Sequence, residues 1–105
     1  MTIKELNDAY RCHHRGRGKT LITSGVTAKG QEFVDLALGI VCHFEDFTED
    51  NNPYGENDFG FFTLRGEKVL WKIDYYDLSC TYGSEDPANP DVTTRVLTIM
   101  LAEEY

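Results

Sequence analysis

The sequence has few cysteines, no long hydrophobic run and no apolar leader. No apolar segment approaches the roughly 20 residues that a membrane-spanning helix needs. The first residues, Met1–Asn7, lack the apolar core of a secretion signal. The three cysteines are odd in number and scattered, which argues against a disulfide framework. We therefore expect a protein of a reducing cytoplasm that does not cross a membrane.

Basic residues are also scarce, and they are unevenly placed. The chain has 10 basic and 18 acidic residues, for a formal net charge of −8. Six basic and two acidic residues lie in positions 1–30, whereas four basic and sixteen acidic residues lie in positions 31–105. Such a charge distribution repels phosphates and membrane surfaces and attracts basic proteins. We expect neither direct nucleic-acid binding nor membrane binding.

The sequence contains no complete motif for a known reaction or metal. Asp50, Asn52 and Gly55 match the start of a calcium-binding EF-hand loop, but Phe61 stands where that loop requires a bidentate glutamate. The spacings that zinc sites and Walker phosphate loops require are also missing. We interpret Cys42 as a small core residue, and no cofactor is predicted.

The basic residues Arg11, Arg15, Arg17 and Lys19 form a glycine-containing turn. This turn either balances the charge of the acidic body or docks one partner.

The residues that are present predict a single α+β domain over residues 1–105. A capping box at Thr2 and Glu5 begins a helix that runs to about His14, and a short strand follows at 20–23. A second helix has Thr27 as a candidate N-cap. Its buried stripe comprises Phe33, Leu36, Ala37, Ile40, Val41 and Phe44, with Gly39 as a candidate for close packing.

A β-hairpin and a final helix complete the predicted fold. A Gly66-Glu67 turn would pair Arg65 with Lys68, and Leu64 with Val69, placing Trp71 on the core face. Thr81-Tyr82 adds an optional edge strand. Asn89-Pro90-Asp91 predicts the start of a largely buried helix that extends to Leu101. The expected order is α-β-α-β-β-(β)-α, a small antiparallel sheet with three helices packed mainly on one face.

The acidic loop, residues 45–58, is the predicted working surface. Its carboxylates could bind a basic partner, and its aromatic residues could anchor the contact. The predicted partner-binding residues are Glu45, Asp46, Glu49, Asp50, Tyr54, Glu56 and Asp58, together with Phe61 on the following strand.

The motifs resemble a family of small bacterial proteins catalogued only as a domain of unknown function. They are Leu6-Asn7-Asp8-Ala9, the Phe44–Phe62 segment, Trp71–Asp77, Tyr82-Gly83-Ser84, Asp86-Pro87 and Arg95–Ala102. The resemblance covers nearly the whole chain and implies a cytoplasmic protein often carried on mobile genetic elements. It implies no activity and no catalytic residue. The family often has histidine where this chain has Asn57.

These observations favour a non-enzymatic acidic protein that occupies a basic, nucleic-acid-binding surface of another protein. An anti-CRISPR or anti-restriction DNA mimic would fit this description. The alternative is a small divalent-metal-binding protein or metal-dependent hydrolase centred on the acidic loop, with Asp46, Asp50, Glu56 and Asp58 as candidate ligands. A separate option is acid–base catalysis by paired carboxylates drawn from Asp74, Asp77, Glu56 and Asp58. The sequence leaves open whether the protein is a monomer or a homodimer.

Overall fold

The computed structural model of the protein describes residues 1–105 and contains three helices and a four-stranded sheet. The predicted α+β class is therefore confirmed. In chain order the elements are α1 (Ile3–His13), β1 (Gly18–Ile22), α2 (Ser24–Thr27), α3 (Gln31–His43), β2 (Phe59–Leu64), β3 (Glu67–Tyr76), β4 (Thr94–Leu101) and a closing 3-10 turn (Ala102–Glu104).

Helix α1 begins at the predicted capping box. The Glu5 N–H donates to Thr2 Oγ1 at 3.1 Å, and the Thr2 N–H donates to Glu5 Oε1 at 2.9 Å. These hydrogen bonds satisfy amides that would lack a partner at the start of a helix. The hydrogen bonds from the Thr2 backbone and hydroxyl also lower the pKa of Glu5. The helix ends at His14, which takes a left-handed φ of 51°.

The predicted second helix is two helices, and Thr27 is not an N-cap. The Thr23 hydroxyl accepts a hydrogen bond from the Val26 N–H at the start of α2. Thr27 is the last residue of α2, whereas an N-cap residue precedes a helix and accepts hydrogen bonds from its first free N–H groups. Helix α3 begins after Gly30, whose φ of 103° is readily available only to glycine.

Helix α3 buries a narrower face than its periodicity predicts. Four of the predicted core residues are buried: Phe33, Ala37, Val41 and Phe44. Leu36 is 42% exposed and Ile40 is half-buried, so the prediction of a core role was wrong for Leu36. The helix therefore meets the core mainly through side chains spaced about one turn apart, with Val34 and Leu38 partly buried beside them.

The segment predicted as the final helix is instead the inner strand β4. It pairs with β1 on one side and with β3 on the other, and seven of its eight residues are buried. A strand buried on both faces has a nearly continuous apolar sequence, which periodicity does not distinguish from a buried helix. The Asn89-Pro90-Asp91 signal forms a turn in which the Asp91 N–H donates to Asn89 Oδ1 at 2.9 Å.

The sheet has the order β1-β4-β3-β2 and is mixed, not wholly antiparallel as predicted. Strand β1 runs parallel to β4, and the other two pairs are antiparallel. The optional strand at Thr81-Tyr82 is reduced to a single bridge between Tyr76 and Gly83. The predicted element order was therefore wrong after β3.

The β2–β3 hairpin has a register two residues away from the predicted one. Leu64 pairs with Glu67, and Gly60 pairs with Trp71. The turn residues are Arg65 and Gly66, with φ values of 51° and 80°, because a two-residue hairpin turn of this kind needs positive φ at both positions. A shift of two residues leaves every side chain on its predicted face, so the predicted core face was correct.

The helices pack on one face of the sheet, as predicted, and the core lies between them. Trp71 is fully buried at its centre, with the rings of Phe44 and Phe47 at 5.6 and 6.1 Å. The opposite sheet face carries the exposed side chains of Leu21 and Phe61. None of the helices is long and apolar enough to cross a membrane.

Two glycines test this packing. Gly39 has open space around the position of a Cβ atom, so the predicted close packing was wrong there. We expect Gly39→Ala to raise the free energy of unfolding by about 0.5–1 kcal/mol, because glycine is unfavourable inside a helix.

At Gly60 a Cβ atom would overlap Trp71 and Phe44. We expect Gly60→Ala to lower the free energy of unfolding by about 1–3 kcal/mol. Chemical denaturation measures both, and shifts of the same sign would contradict this core.

Candidate functional site

The acidic loop is held at its start by two aromatic rings. Phe44, at the end of α3, is buried, and the ring of Phe47 meets it edge-on at 5.1 Å. Both rings contact Trp71 in the core. Glu45 and Asp46 lie between these anchored rings and are exposed. The core thus fixes the position of the first two carboxylates.

Hydrogen bonds within the acidic loop fix the rest of its shape. Asn51 accepts from the Thr48 N–H at 2.9 Å and donates to the Asp46 carbonyl at 3.1 Å. Asn52 Nδ2 donates to Asn57 Oδ1 at 2.7 Å, and the Asn57 N–H donates to Asn52 Oδ1 at 2.9 Å. The asparagines therefore act as turn-forming residues, through the local hydrogen bonds that favour this residue type in loops.

Asn57 ties the loop to helix α1. Its φ of 54° lies in the left-handed region, which asparagine tolerates better than most residues. Its Nδ2 donates to both carboxylate oxygens of Asp8 at 3.2 Å, and the residue is buried. At the position where the resemblance implies a frequent histidine, this chain therefore has a structural hydrogen-bonding residue.

Five of the eight predicted partner-binding residues lie together on the outside of this loop. They are Glu45, Asp46, Glu49, Asp50 and Tyr54, all of them exposed. Tyr54 is 86% exposed. None of the four carboxylates pairs with a basic residue of the chain, whose ion pairs all lie elsewhere. The loop therefore presents uncompensated negative charge on a shaped backbone.

The other three predicted residues do not join this surface. The Glu56 carboxylate accepts a hydrogen bond from the Tyr75 hydroxyl at 2.8 Å. Asp58 is half-buried beside β3, and burial, with the nearby charges of Glu56 and Asp74, raises its pKa. Phe61 lies on the sheet face opposite the helices, where the Lys68 ammonium sits 4.8 Å from its ring centroid.

A buried polar network supports the loop from inside, and sequence reasoning missed it. Asn7 is fully buried and donates to the Glu56 carbonyl at 3.0 Å and to the Tyr75 hydroxyl at 2.8 Å. Its Oδ1 accepts from Arg95 Nε at 2.7 Å, and Arg95 also donates to the Pro87 carbonyl. Burial raises the pKa of the Tyr75 phenol and lowers that of Arg95.

A sequence signal for this network existed. Asn7, Tyr75 and Arg95 each lie in one of the segments that carry the family resemblance. Buried polar side chains stay in a core only when they have partners. Polar residues within the segments that carry the resemblance were therefore the clue to a hydrogen-bonded network.

The prediction that Arg11 belongs to a basic surface turn was wrong, because Arg11 is buried. Its Nη1 donates to the Val41 carbonyl at 2.7 Å and the Cys42 carbonyl at 3.3 Å, and its Nε pairs with Asp8 at 3.1 Å. The end of α3 has carbonyls without helical partners, and the guanidinium satisfies them. Arg15, Arg17 and Lys19 stay exposed.

The predicted alternative of a metal site lacks a preformed set of ligands. No group of three or more His, Cys, Asp or Glu side chains in residues 1–105 is arranged to hold a metal ion. Asp74, a candidate for acid–base catalysis by paired carboxylates, pairs with Lys72 at 2.6 Å. Its hydrogen bond raises the pKa of Lys72. Cys42 is half-buried at the end of α3 and not part of the core.

The largest groove lies away from the acidic loop. It has a volume of about 500 Å³ and is lined by residues from the turn after β3 and the segment before β4, including Asp77, Leu78, Glu85 and Val92. Hydrogen bonds from the backbone of Thr81 and the hydroxyl of Ser79 lower the pKa of Asp77. Carboxylates of this second acidic region can therefore serve as controls when those of the acidic loop are substituted.

Comparison with known proteins identifies a family but no function. The model of a family described as "Protein of unknown function (DUF3768)" matches residues 22–104. No curated protein and no solved structure matches the chain.

The raised pKa of Asp58 makes stability depend on pH. Its carboxyl binds more protons when folded, so its contribution to the free energy of unfolding falls as pH rises from its unfolded pKa through its folded pKa. We expect Asp58→Asn to raise the melting temperature by a few degrees at neutral pH. Below about pH 3, where Asp58 is protonated in both states, we expect little change.

Thermal unfolding at both pH values measures this effect. Asp50→Asn is the matched control, because Asp50 is an exposed carboxylate of the same loop. Equal shifts for the two variants at neutral pH would contradict a role for the burial of Asp58.

Proposed function

The chain belongs to the DUF3768 family, and we propose that it acts by binding: its acidic loop occupies a basic surface of another protein. The observation that carries this proposal is the set of four exposed carboxylates, Glu45, Asp46, Glu49 and Asp50, that have no basic partner within the chain. Complementary charge gives such a contact its orientation and speeds encounter.

The internal support of the loop favours binding over a merely solvated surface. Ordering a loop on association costs free energy, and a loop that is already shaped avoids much of that cost. The Phe47 anchor and the Asn52–Asn57 hydrogen bonds supply this support. The exposed Tyr54 adds an aromatic side chain of the kind that dominates many interfaces.

The partner we propose is a protein whose basic surface normally binds nucleic acid, such as a subunit of a bacterial defence complex. Carboxylates compete with phosphates for the same Lys and Arg side chains. In this form the protein is a non-enzymatic anti-defence inhibitor of the bacterial cytoplasm, of the anti-CRISPR or anti-restriction DNA-mimic type. Glu56 serves as an internal support of the loop through the hydrogen bond that it accepts from Tyr75.

Charge reversal tests the proposed surface. We expect Asp46→Lys with Asp50→Lys to weaken partner binding about tenfold or more and to flatten its salt dependence, because both effects come from the lost carboxylates. The fold should remain, since neither side chain has an ion-pair partner to lose. The control is Glu85→Lys with Asp91→Lys, which reverses two exposed carboxylates away from the loop and gives the same net charge.

The measurement is affinity capture from the native host with the parent and both variants in parallel, at low and moderate salt. Captured proteins are identified by mass spectrometry, and their affinities are then measured with purified components. A nucleic-acid-binding protein retained by the parent and the control, but not by the loop variant, supports the proposal. Equal retention by both folded variants contradicts this choice of surface.

A substitution of Phe61 distinguishes between the acidic loop and the open sheet face as the partner-binding surface. It is 46% exposed and lies on the face opposite the helices. Because Phe61 lies outside the loop surface, we expect Phe61→Ala to leave partner affinity within about twofold. We expect it to lower the free energy of unfolding by about 1–1.5 kcal/mol, since just over half of the residue is removed from water. A loss of affinity as large as that of the loop variant would place the interface on the sheet face instead.

A further inference from the structure

Two of the three cysteines meet where helices α1 and α3 end. Each is the second-last residue of its helix, and the two are 30 positions apart. Cys12 Sγ donates to the Cys42 carbonyl at 2.8 Å, and Cys42 Sγ donates to the Cys12 carbonyl at 3.2 Å. The contacts are reciprocal, so the two residues lie side by side with each thiol directed at the other residue.

The surroundings hold this pair in place. Carbonyl groups of a last helical turn lack partners within their helix, so they are free to accept hydrogen bonds from the facing thiols. Arg11 also donates to the Cys42 carbonyl, which joins the same two helix ends. Both cysteines are half-buried and therefore remain reachable by small molecules. Cys80, also half-buried, lies in the turn after β3.

We propose that Cys12 and Cys42 are an oxidation site, a dithiol that closes to an intramolecular disulfide on reaction with a low-molecular-weight disulfide such as oxidised glutathione. Disulfide formation requires two cysteines whose backbones lie close together and whose side chains face each other. The reciprocal thiol–carbonyl contacts provide that arrangement without a change of fold. In a structural disulfide framework the cysteines stay bonded. At this site the resting form in a reducing compartment is the reduced dithiol.

The exchange reaction balances in two steps. One cysteine thiolate attacks a sulfur of glutathione disulfide, forming a mixed disulfide and releasing one glutathione thiolate. The second cysteine thiolate attacks the cysteine sulfur of the mixed disulfide. This forms the Cys12–Cys42 bond and releases the second glutathione. The two cysteines are oxidised by two electrons in total, glutathione disulfide is reduced, and the two thiol protons pass to the two released glutathiones.

The pKa of Cys12 affects the rate of this reaction. Burial raises that pKa, and the neighbouring Cys42 adds to the increase against the opposing effect of Arg11. Thiolate is therefore scarce at neutral pH, and the exchange should become faster as pH rises towards the pKa of the thiol.

The disulfide would reinforce the support of the acidic loop. Helix α1 holds the loop through Asn7 and Asp8, and helix α3 leads directly into Phe44 and the start of the loop. A bond between the ends of these helices joins both supports covalently. It also closes a long chain segment, which stabilises the native state by restricting the unfolded chain.

The test uses the purified full chain in mixtures of oxidised and reduced glutathione. We expect the parent to lose two of its three free thiols, to lose two hydrogen atoms in mass, and to melt on the order of 10 °C higher. Cys80→Ser should behave like the parent. Cys12→Ser and Cys42→Ser should each fail to form the intramolecular bond. Digestion of the oxidised parent should yield a linked pair of peptides that contain Cys12 and Cys42, a measurement that requires no variant.

Three results would overturn the proposal. They are a stable glutathione adduct on a single cysteine of the parent, linked peptides that contain Cys80, or a melting temperature that does not rise on oxidation. None of these measurements depends on the binding partner, so the outcome is independent of the proposed function.

Discussion

The relative placement of the helices, the acidic loop and the sheet depends on the buried guanidinium of Arg11, one of two buried arginines, which is only 7% exposed. A buried charge is tolerated only when hydrogen bonds and counter-charges surround it. Arg11 therefore requires the Val41 carbonyl at the end of α3, the Asp8 carboxylate, and the rings of Phe47 and Trp71 at 5.3 and 5.5 Å. These groups come from two helices, the acidic loop and the sheet. A single side chain thus fixes the relative positions of the parts that build the candidate site.

The acidic residues divide into two groups with different roles. Glu56 accepts a hydrogen bond from Tyr75 on β3, and Asp8 on α1 accepts from Asn57, so these carboxylates hold the loop against the sheet and α1. Glu45, Asp46, Glu49 and Asp50 face water without basic partners. The high negative charge is therefore partly structural, and only the exposed group is available to a partner. Oxidation of the proposed Cys12–Cys42 site would strengthen the structural part and leave the exposed part unchanged.

Local signals had mixed success, since the helix starts predicted at Thr27 and at Asn89-Pro90-Asp91 did not form. The Thr2–Glu5 capping box formed as expected because its donors and acceptors are three residues apart. The hairpin faces were correct although the register was not, because alternation along a strand survives a shift of two residues. Glu45, Asp46, Glu49, Asp50 and Tyr54 are exposed, whereas Glu56 and Asp58, chosen by the same reasoning, are half-buried. The capping box and the hairpin faces need only short stretches of chain.

The sequence by itself therefore determined the α+β class, the start of α1, the core face of the hairpin and the presence of an exposed acidic loop. Only the tertiary structure decided that Thr94–Leu101 is a strand, since a buried apolar segment takes its form from its neighbours β1 and β3. It also decided that Arg11 is buried, that Glu56 and Asp58 turn inward, and that Cys12 meets Cys42. Each of these outcomes depends on partners distant in the chain, and residue type and spacing do not specify such partners.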